Sequence, residues 1–273
     1  MSPATDPNSP AVTVLIGAYE NERTVARAVA SILEQTEQNL ELIVIDDGSR
    51  DGSSAVASEA IDSDPRARVM RLERNLGIAQ SLNAGLEAAA APFVAIQDAD
   101  DYSAPNRLER QLEILAEDPD LAVVGARMRE VDEAGRVLQP RTSFAAGDVG
   151  PVLLRFNPIP NGSAMLRRDA ARSAGGYDPR YRYATEYDLW LRLAERHRLV
   201  ALDEELGTRV MGTGNVAARA ERAQLAEGIA IRLRALRRRR TLHGASGLLR
   251  PALSYALPMA VKRTLRERLG QAP

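Results

Sequence analysis

The chain has 273 residues, 45% of them hydrophobic and 27% charged, which is typical of a folded protein with a sizeable core. It contains no cysteine, which excludes a disulfide framework, a thiolate nucleophile and a cysteine-ligated metal. No apolar run reaches the length of about 18 residues that a membrane span needs, and the polar N-terminus does not resemble a signal peptide. We therefore expect a cytoplasmic protein.

The first 126 residues alternate apolar runs with segments of helical periodicity. We predict strands at 12–17, 40–49, 68–72, 92–100 and 121–126, and helices at 20–36, 51–61, 77–90 and 105–118. Near-continuous apolar strands separated by helices indicate an α/β fold with a mostly parallel sheet covered on both faces. Ligands bind beyond the carboxyl ends of such strands.

The pattern changes after residue 126. We predict a hairpin turning at 132–135, then a loop, short strand and short helix within 157–178, ending at a glycine pair. An amphipathic helix at 185–197 and a long, increasingly basic helix at 216–240 follow. Residues 219–273 carry 13 Lys and Arg against 3 Glu, although the whole chain has a net charge of −1. The chain is thus predicted to be an acidic body with a basic tail.

Three carboxylates fall within four positions directly after the apolar run 92–96: Asp98, Asp100 and Asp101. Negative charges at such short spacing repel one another unless a cation lies among them. Mg²⁺ and Mn²⁺ take oxygen ligands and bridge one or two carboxylates to phosphate oxygens. The segment therefore suggests a metal–diphosphate site, with a solvated, helix-capping loop before Pro105 as the alternative.

Several motifs in order carry a family resemblance. They are VLIGAYENERTVARAVASILEQ, LIVIDDGSRDGS, NLGIAQSLNAGL, IQDADD, NPIPNGSAMLRR and GGYDPRYRYATEYDLWLRL. From about Val12 to about Gly214, the sequence resembles the family 2 glycosyltransferases, especially bacterial enzymes that build surface polysaccharides. The resemblance implies a GT-A fold, a Rossmann-like, mostly parallel sheet with helices on both faces. It also implies one glycosyltransferase domain at 11–215, with a nucleotide-sugar-binding half (11–126) and an acceptor and catalytic half (127–215). Outside this domain, the sequence pattern predicts a disordered N-terminus (1–10) and a basic helical extension (216–273).

The resemblance also implies a set of donor-binding residues. Asp98 would contact the ribose or the metal, and Asp100 would ligate Mg²⁺ or Mn²⁺. Residues bordering the nucleotide would be Ala18, Tyr19, Glu20, Asp47, Asn75 and Gly77, with Asp47 accepting a hydrogen bond from the base. Two of these segments also have a purely structural explanation. Asp47 could be an ordinary turn residue in DDGS, and NLG (75–77) could be a loop that leads into a helix.

The family's general base is usually the second acid of an "ED" pair before YDLW, and Glu186 occupies that position, with Thr185 replacing the first acid. The alternatives are an ordinary first-turn Glu favoured by the helix dipole, and Asp188 as the base. Trp190 is expected in the core. Two histidines common in relatives are missing, since Asn161 and Met211 stand in their places.

These features predict an inverting, metal-dependent transfer of a sugar from a nucleotide-diphosphate donor to a hydroxyl of a saccharide or lipid-linked acceptor. The setting would be surface polysaccharide or glycolipid synthesis. The alternative is a non-catalytic nucleotide-sugar-binding module of the same fold. A dinucleotide oxidoreductase needs a glycine-rich turn after the first strand, where only Gly17 is present.

The basic tail could bind any of several partners. Residues 232–268 combine apolar patches with basic side chains and could rest on an anionic membrane surface, at the inner face of the plasma membrane. Alternatively, the tail packs on the body or pairs with another subunit. No nucleic-acid-binding module is recognisable, so we expect no nucleic-acid partner.

Overall fold

The computed structural model describes residues 9–139, 144–212 and 216–239, with side chains from 222 to 238 in the last segment. Within these residues the strands are β1 (Val12–Ala18), β2 (Leu40–Asp46), β3 (Ala67–Arg71), β4 (Phe93–Asp98), β5 (Tyr102–Ser103), β6 (Leu121–Asp132), β7 (Gly147–Asp148), β8 (Met165–Arg167) and β9 (Arg198–Met211). The α-helices are α1 (Val25–Leu33), α2 (Ser53–Ile61), α3 (Ile78–Ala88), α4 (Arg107–Glu117), α5 (Arg168–Ser173), α6 (Thr185–Leu193) and α7 (Val216–Arg239).

The strands form one mixed sheet in the order β3-β2-β1-β4-β8-β6-β9-β5, and β7 pairs with β9. The first four are parallel, whereas β8 runs antiparallel between β4 and β6. The parallel register places Ala18 opposite Asp46, and Gly17 opposite Asp98. Strands β1, β2 and β4 therefore end at the same edge of the sheet, which puts two acidic segments side by side.

Alternation along the strands divides the apolar residues between two cores. Leu15 of β1 faces a core with α3, α5, α6 and α7, whereas Val14 and Ile16 face a core with α1, α2 and α4. Helices on both faces are what the apolar strands predicted. Trp190 lies in the first core with no exposed surface, and its indole N–H donates to the Ile159 carbonyl at 3.1 Å. The expected fold class and the expected place of Trp190 are confirmed.

Several predicted boundaries are wrong, and the causes are local. The helix predicted from residue 20 begins at Val25, because Glu20 has a φ of +56° and its amide donates to the Ser49 hydroxyl. The strand predicted over 92–100 ends at Asp98, where a turn closes. Strand β6 continues to Asp132 instead of ending at 126, since β9, which we did not predict, pairs along it.

Helix α7 packs on the body along its described part. Ile231 and Ala235 are buried in the first core, and Arg232 donates to the carbonyls of Leu154 and Arg155, each at 3.1 Å. Residues 240–268 of the predicted membrane surface, and residues 1–8 of the predicted disordered N-terminus, lie outside the described residues. No helix in the described part of the chain is long and apolar enough to cross a bilayer.

Candidate active site

Two cavities open at the carboxyl edge of the sheet. The Asp47 cavity, of about 460 Å³, is lined by Ala18, Tyr19, Asp47, Asn75 and Gly77 among others. The Glu186 cavity, of about 420 Å³, is lined by residues that include Asp98, Asn157, Asn161, Glu186 and Arg209. Ile78 and Arg182 line both cavities. An elongated ligand could therefore occupy both at once.

In the Asp47 cavity, five of the six residues predicted to border the nucleotide come together, and Glu20 is not among the lining residues. The Asp47 carboxylate accepts the amides of Leu76 at 2.7 Å and Gly77 at 2.8 Å. Gly77 has a φ of +87°, which L side chains rarely adopt, and it caps α3. Asp47 thus holds the start of α3 against β2, and further hydrogen bonding to a ligand would use its remaining lone pairs.

The acidic turn after β4 borders the Glu186 cavity at Asp98. The carboxyl group of Asp98 is covered, although part of the residue reaches the surface, and burial together with the Asp100 charge raises its pKa. Burial, Asp98 and Asp100 raise the pKa of Asp101 to about 8. The Gly162 backbone bonds to Asp98, and the Val210 amide donates to Asp101 at 3.0 Å. Ionisation of these acids is therefore disfavoured, because protein contacts offset their mutual repulsion only in part.

Two arginines that we did not single out from the sequence face these acids. Arg209 on β9 lies 3.8 Å from Asp101, and its charge also lowers the pKa of Asp98 and of Glu186. Arg107 is 1% exposed, and burial lowers its pKa to about 10. The only sequence signal for Arg209 was its place two residues before Met211, where relatives carry an R-x-H motif.

Arg107 ties the acidic turn to the sheet. Its guanidinium donates to the Ile96 carbonyl at 2.7 Å, the Gln97 side chain at 3.0 Å and the Ser103 hydroxyl at 2.9 Å. These groups lie on both sides of the turn Asp98–Asp101. Arg107 therefore fixes the two ends of the turn and adds a positive charge beneath it.

The residues of the acidic turn can bind a divalent cation only if phosphate oxygens or water supply the remaining ligands. Among the described residues, no three His, Cys, Asp or Glu side chains group so as to hold a metal by themselves. Asp100 is exposed, and no hydrogen bond or ion pair to another described residue engages its carboxylate. One or two carboxylates completed by phosphate oxygens and water is a usual Mg²⁺ environment. The donor set fits such an ion.

Glu186 lies in the first turn of α6 and lines the second cavity. Burial raises its pKa to about 7, and the Asp98 charge acts in the same direction. The Asn157 amide donates to its Oε1 at 3.0 Å and opposes this shift. A carboxylate with a pKa near 7 is well suited to accept a proton at neutral pH.

The rival carboxylate Asp188 is engaged elsewhere. It is 2% exposed, does not line either cavity, and forms a 2.7 Å ion pair with Arg192. Arg192 also donates to the Gly176 carbonyl at 2.7 Å, which joins α6 to the end of α5. Asn161, which stands in the place of a family histidine, accepts the Tyr177 hydroxyl at 3.1 Å and lines the Glu186 cavity.

The fold is that of the GT-A glycosyltransferases. TarS of S. aureus, solved in complex with UDP-GlcNAc, superposes with a TM-score of 0.67 at 18% identity, covering 82% of this chain and 66% of that chain. The mannosyltransferase PcManGT from Pyrobaculum calidifontis, solved with GDP-Man and Mn²⁺, gives 0.66 at 19% identity, covering 96% and 80%. At these identities the likeness shows the fold alone.

Comparison of the sequence with those of known proteins identifies the family as well as the fold. The sequence profile described as Glycosyl transferase family 2 matches residues 13–174. EpsE of Bacillus subtilis is 37% identical over 191 residues, which cover 69% of this chain and 68% of EpsE. The amylovoran biosynthesis glycosyltransferase AmsE of Erwinia amylovora is 32% identical over 184 residues, covering 66% of this chain and 68% of AmsE. The chain belongs to glycosyl transferase family 2, as the motifs predicted.

Proposed function

We propose that this protein is an inverting, metal-dependent glycosyltransferase that uses a nucleotide-diphosphate sugar. The observation that carries the proposal is Glu186, a half-buried residue whose partial burial raises its pKa to about 7, in a cavity that shares Ile78 and Arg182 with the Asp47 cavity. Donor complexes of the fold neighbours support the donor class, because TarS was solved with UDP-GlcNAc and PcManGT with GDP-Man.

In this proposal, the donor's nucleoside occupies the Asp47 cavity and its sugar reaches the Glu186 cavity. Glu186 takes the proton of an acceptor hydroxyl, and that oxygen attacks the anomeric carbon. The bond from the anomeric carbon to the diphosphate oxygen breaks, and its electron pair leaves with the nucleoside diphosphate. One displacement inverts the configuration at the anomeric carbon. General-base help of this kind contributes about 10²- to 10⁴-fold.

Asp98 and Asp100 are the residues that would hold Mg²⁺ or Mn²⁺. When bound, such an ion stabilises negative charge on the departing diphosphate. The repulsion among Asp98, Asp100 and Asp101 supports this assignment, because a cation at the turn would relieve it. Arg209 faces Asp101, and Arg107 holds the residues at both ends of the turn.

The acceptor class is proposed from the relatives. AmsE is named for amylovoran biosynthesis, and ExoO of Rhizobium meliloti, 38% identical over 113 residues, for succinoglycan biosynthesis. We infer that this enzyme extends a saccharide or a lipid-linked saccharide during surface-polysaccharide synthesis, with a hexose as the transferred sugar. Work on lipid-linked acceptors would place it at the cytoplasmic face of the plasma membrane.

The test pairs two carboxylate variants of one helix. Release of UDP or GDP from UDP-GlcNAc and GDP-mannose is followed with Mn²⁺ in the wild type, Glu186→Gln and Asp188→Asn. We expect Glu186→Gln to lose about 10²- to 10⁴-fold in turnover while still binding nucleotide, and Asp188→Asn to keep turnover once folded. Full turnover in Glu186→Gln would remove the base assignment.

A third variant addresses the metal. In Asp100→Asn, calorimetric titration of UDP, dTDP and GDP should show no gain in affinity on adding Mn²⁺, whereas the wild type gains. If the folded wild type binds none of these nucleotides, the enzyme proposal fails.

A further inference from the structure

The inference concerns the junction between the two cavities, and it rests on the proposed function. A donor whose nucleoside lies in the Asp47 cavity and whose sugar reaches Glu186 must cross this junction with its diphosphate. Ile78 and Arg182 are the residues that line both cavities. Ile78 is apolar, so of these two residues only Arg182 can offset negative charge on a diphosphate, in addition to the cation proposed at Asp98 and Asp100.

The guanidinium of Arg182 is available for an anion. Arg182 is exposed, and within the described residues no carboxylate forms an ion pair with it, while the Tyr183 ring lies 5.7 Å from its Cζ. The two other arginines that line the Glu186 cavity already face carboxylates: Arg209 faces Asp101, and Arg127 pairs with Asp203. A guanidinium without a carboxylate partner, beside two cavities, suits bidentate binding of a phosphate group.

The backbone that carries Arg182 is held by one carboxylate of α7. Glu227 Oε1 accepts the Arg182 amide at 2.9 Å, and Oε2 accepts the amides of Tyr183 at 2.8 Å and Ala184 at 3.1 Å. Ala184 is the residue before α6, so these hydrogen bonds also satisfy amides at the entry to the helix that carries Glu186. One side chain thereby fixes three successive residues next to both cavities.

Helix α7, which carries Glu227, packs firmly against the rest of the protein. Four and eight residues further along α7, Ile231 and Ala235 are buried in the core. Arg232 donates to the Leu154 and Arg155 carbonyls, just before Asn157, the residue that bonds to Glu186. Helix α7 therefore braces both segments beside Glu186, although it lies beyond residue 174, where the family match ends.

We propose that Arg182 binds the diphosphate of the donor at the junction of the two cavities, and that Glu227 of α7 is its positioning residue. The interaction is a charge-assisted contact between the guanidinium and phosphate oxygens. Glu227 does not contact the donor; it sets the backbone from which Arg182 reaches.

The first experiment measures binding by calorimetry with Mn²⁺ present, using UDP, dTDP and GDP and the matching free nucleosides. Arg182→Ala should weaken the nucleoside diphosphate that the wild type binds by about 10- to 100-fold and leave the nucleoside unchanged. Arg180→Ala is the matched control, because Arg180 lies in the same segment, pairs with Asp178 and lines neither cavity. We expect no change there.

The second experiment is a double-mutant cycle. Glu227→Gln removes one acceptor oxygen and the charge, and should weaken nucleoside diphosphate binding in the wild-type background but not further in Arg182→Ala. Arg238→Ala breaks another contact of α7 with the body, a 2.7 Å ion pair with Glu195, and should not change binding. Melting temperatures of all variants are recorded alongside.

The outcomes separate the two proposals. If the folded wild type binds no nucleoside diphosphate, the proposed function fails and this inference falls with it. If the wild type binds and Arg182→Ala binds equally well, or loses the nucleoside to the same degree, the diphosphate role is overturned while the proposed function stands. Additive losses for Glu227→Gln and Arg182→Ala would overturn the positioning role.

Discussion

The side-chain amide of Asn157 donates a 3.0 Å hydrogen bond to Oε1 of Glu186, in the cavity where the acceptor hydroxyl would meet the donor sugar. Asn157 itself is fixed, because its Oδ1 accepts the Ile159 amide at 3.1 Å. The bond favours the ionised carboxylate, whereas burial favours the protonated one. The protonation of Glu186 near neutral pH thus depends on the balance between these two effects.

Turnover should therefore rise with pH through about 7. The base must be ionised to accept a proton, and burial raises the pKa of Glu186 to about 7, so a growing fraction is competent as the pH increases. The check is the pH profile of kcat at saturating donor and acceptor between pH 5 and 9. A flat profile from pH 5 upward would contradict the raised pKa.

Asn157→Asp should move the acid side of this profile to higher pH. The substitution keeps an oxygen for the Ile159 amide, but it replaces the donor to Glu186 with a negative charge, and both changes favour the protonated carboxyl. Activity at pH 6 should fall more than activity at pH 9. Asn157→Ala, which removes the donor without adding charge, should shift the profile in the same direction by less. Equal losses at all pH values would point to a purely structural role.

Gly162→Ala should disturb the predicted metal site selectively. A Cβ on Gly162 would lie 2.6 Å from Oδ2 of Asp98, so the carboxylate has to move. We expect the Mn²⁺-dependent gain in nucleoside diphosphate affinity to shrink, and the metal-free affinity to persist. Gly212→Ala is the control, since its Cβ meets Glu133 at an ordinary 3.6 Å. If both variants respond to Mn²⁺ as the wild type does, Asp98 is not a ligand.

Arg107→Met should destabilise the fold strongly. The substitution keeps much of the side-chain shape, but it leaves the carbonyls of Ile96 and Ala164 without this donor in the interior. A buried acceptor that loses its donor costs about 1–3 kcal/mol. The measurement is urea unfolding. Arg110→Met, one turn along on the exposed side of α4, should change the midpoint little, and a similar small change for Arg107→Met would argue against the network.

Local sequence patterns determined a large part of this protein. Apolar runs of strand length between amphipathic segments determined the parallel half of the sheet, because burial on both faces demands such runs. The acids directly after β2 and β4 were predicted to lie at one edge, since parallel strands end together. In α6, the apolar face that includes Leu189, Leu191 and Leu193 indicated that Trp190 is buried, and Glu186 was predicted at the start of the helix. Each of these inferences depends on residues within one element.

Tertiary structure alone decided the contacts that join distant elements. The Val210 amide reaches Asp101 across 109 positions, Asn157 reaches Glu186 across 29, and Glu227 reaches Arg182 across 45. Strand β9 and the short strand β5 have no strong local pattern, and they form because β9 pairs along β6 and β5 pairs with β9. Hydrogen bonds of this kind depend on where loops bring the backbone, and loop paths are set by the packing of the whole chain rather than by the residues within them. The sequence therefore indicated the carboxylates to which we assign the proposed chemistry, whereas the folded structure decided which arginines, amides and helix surround them.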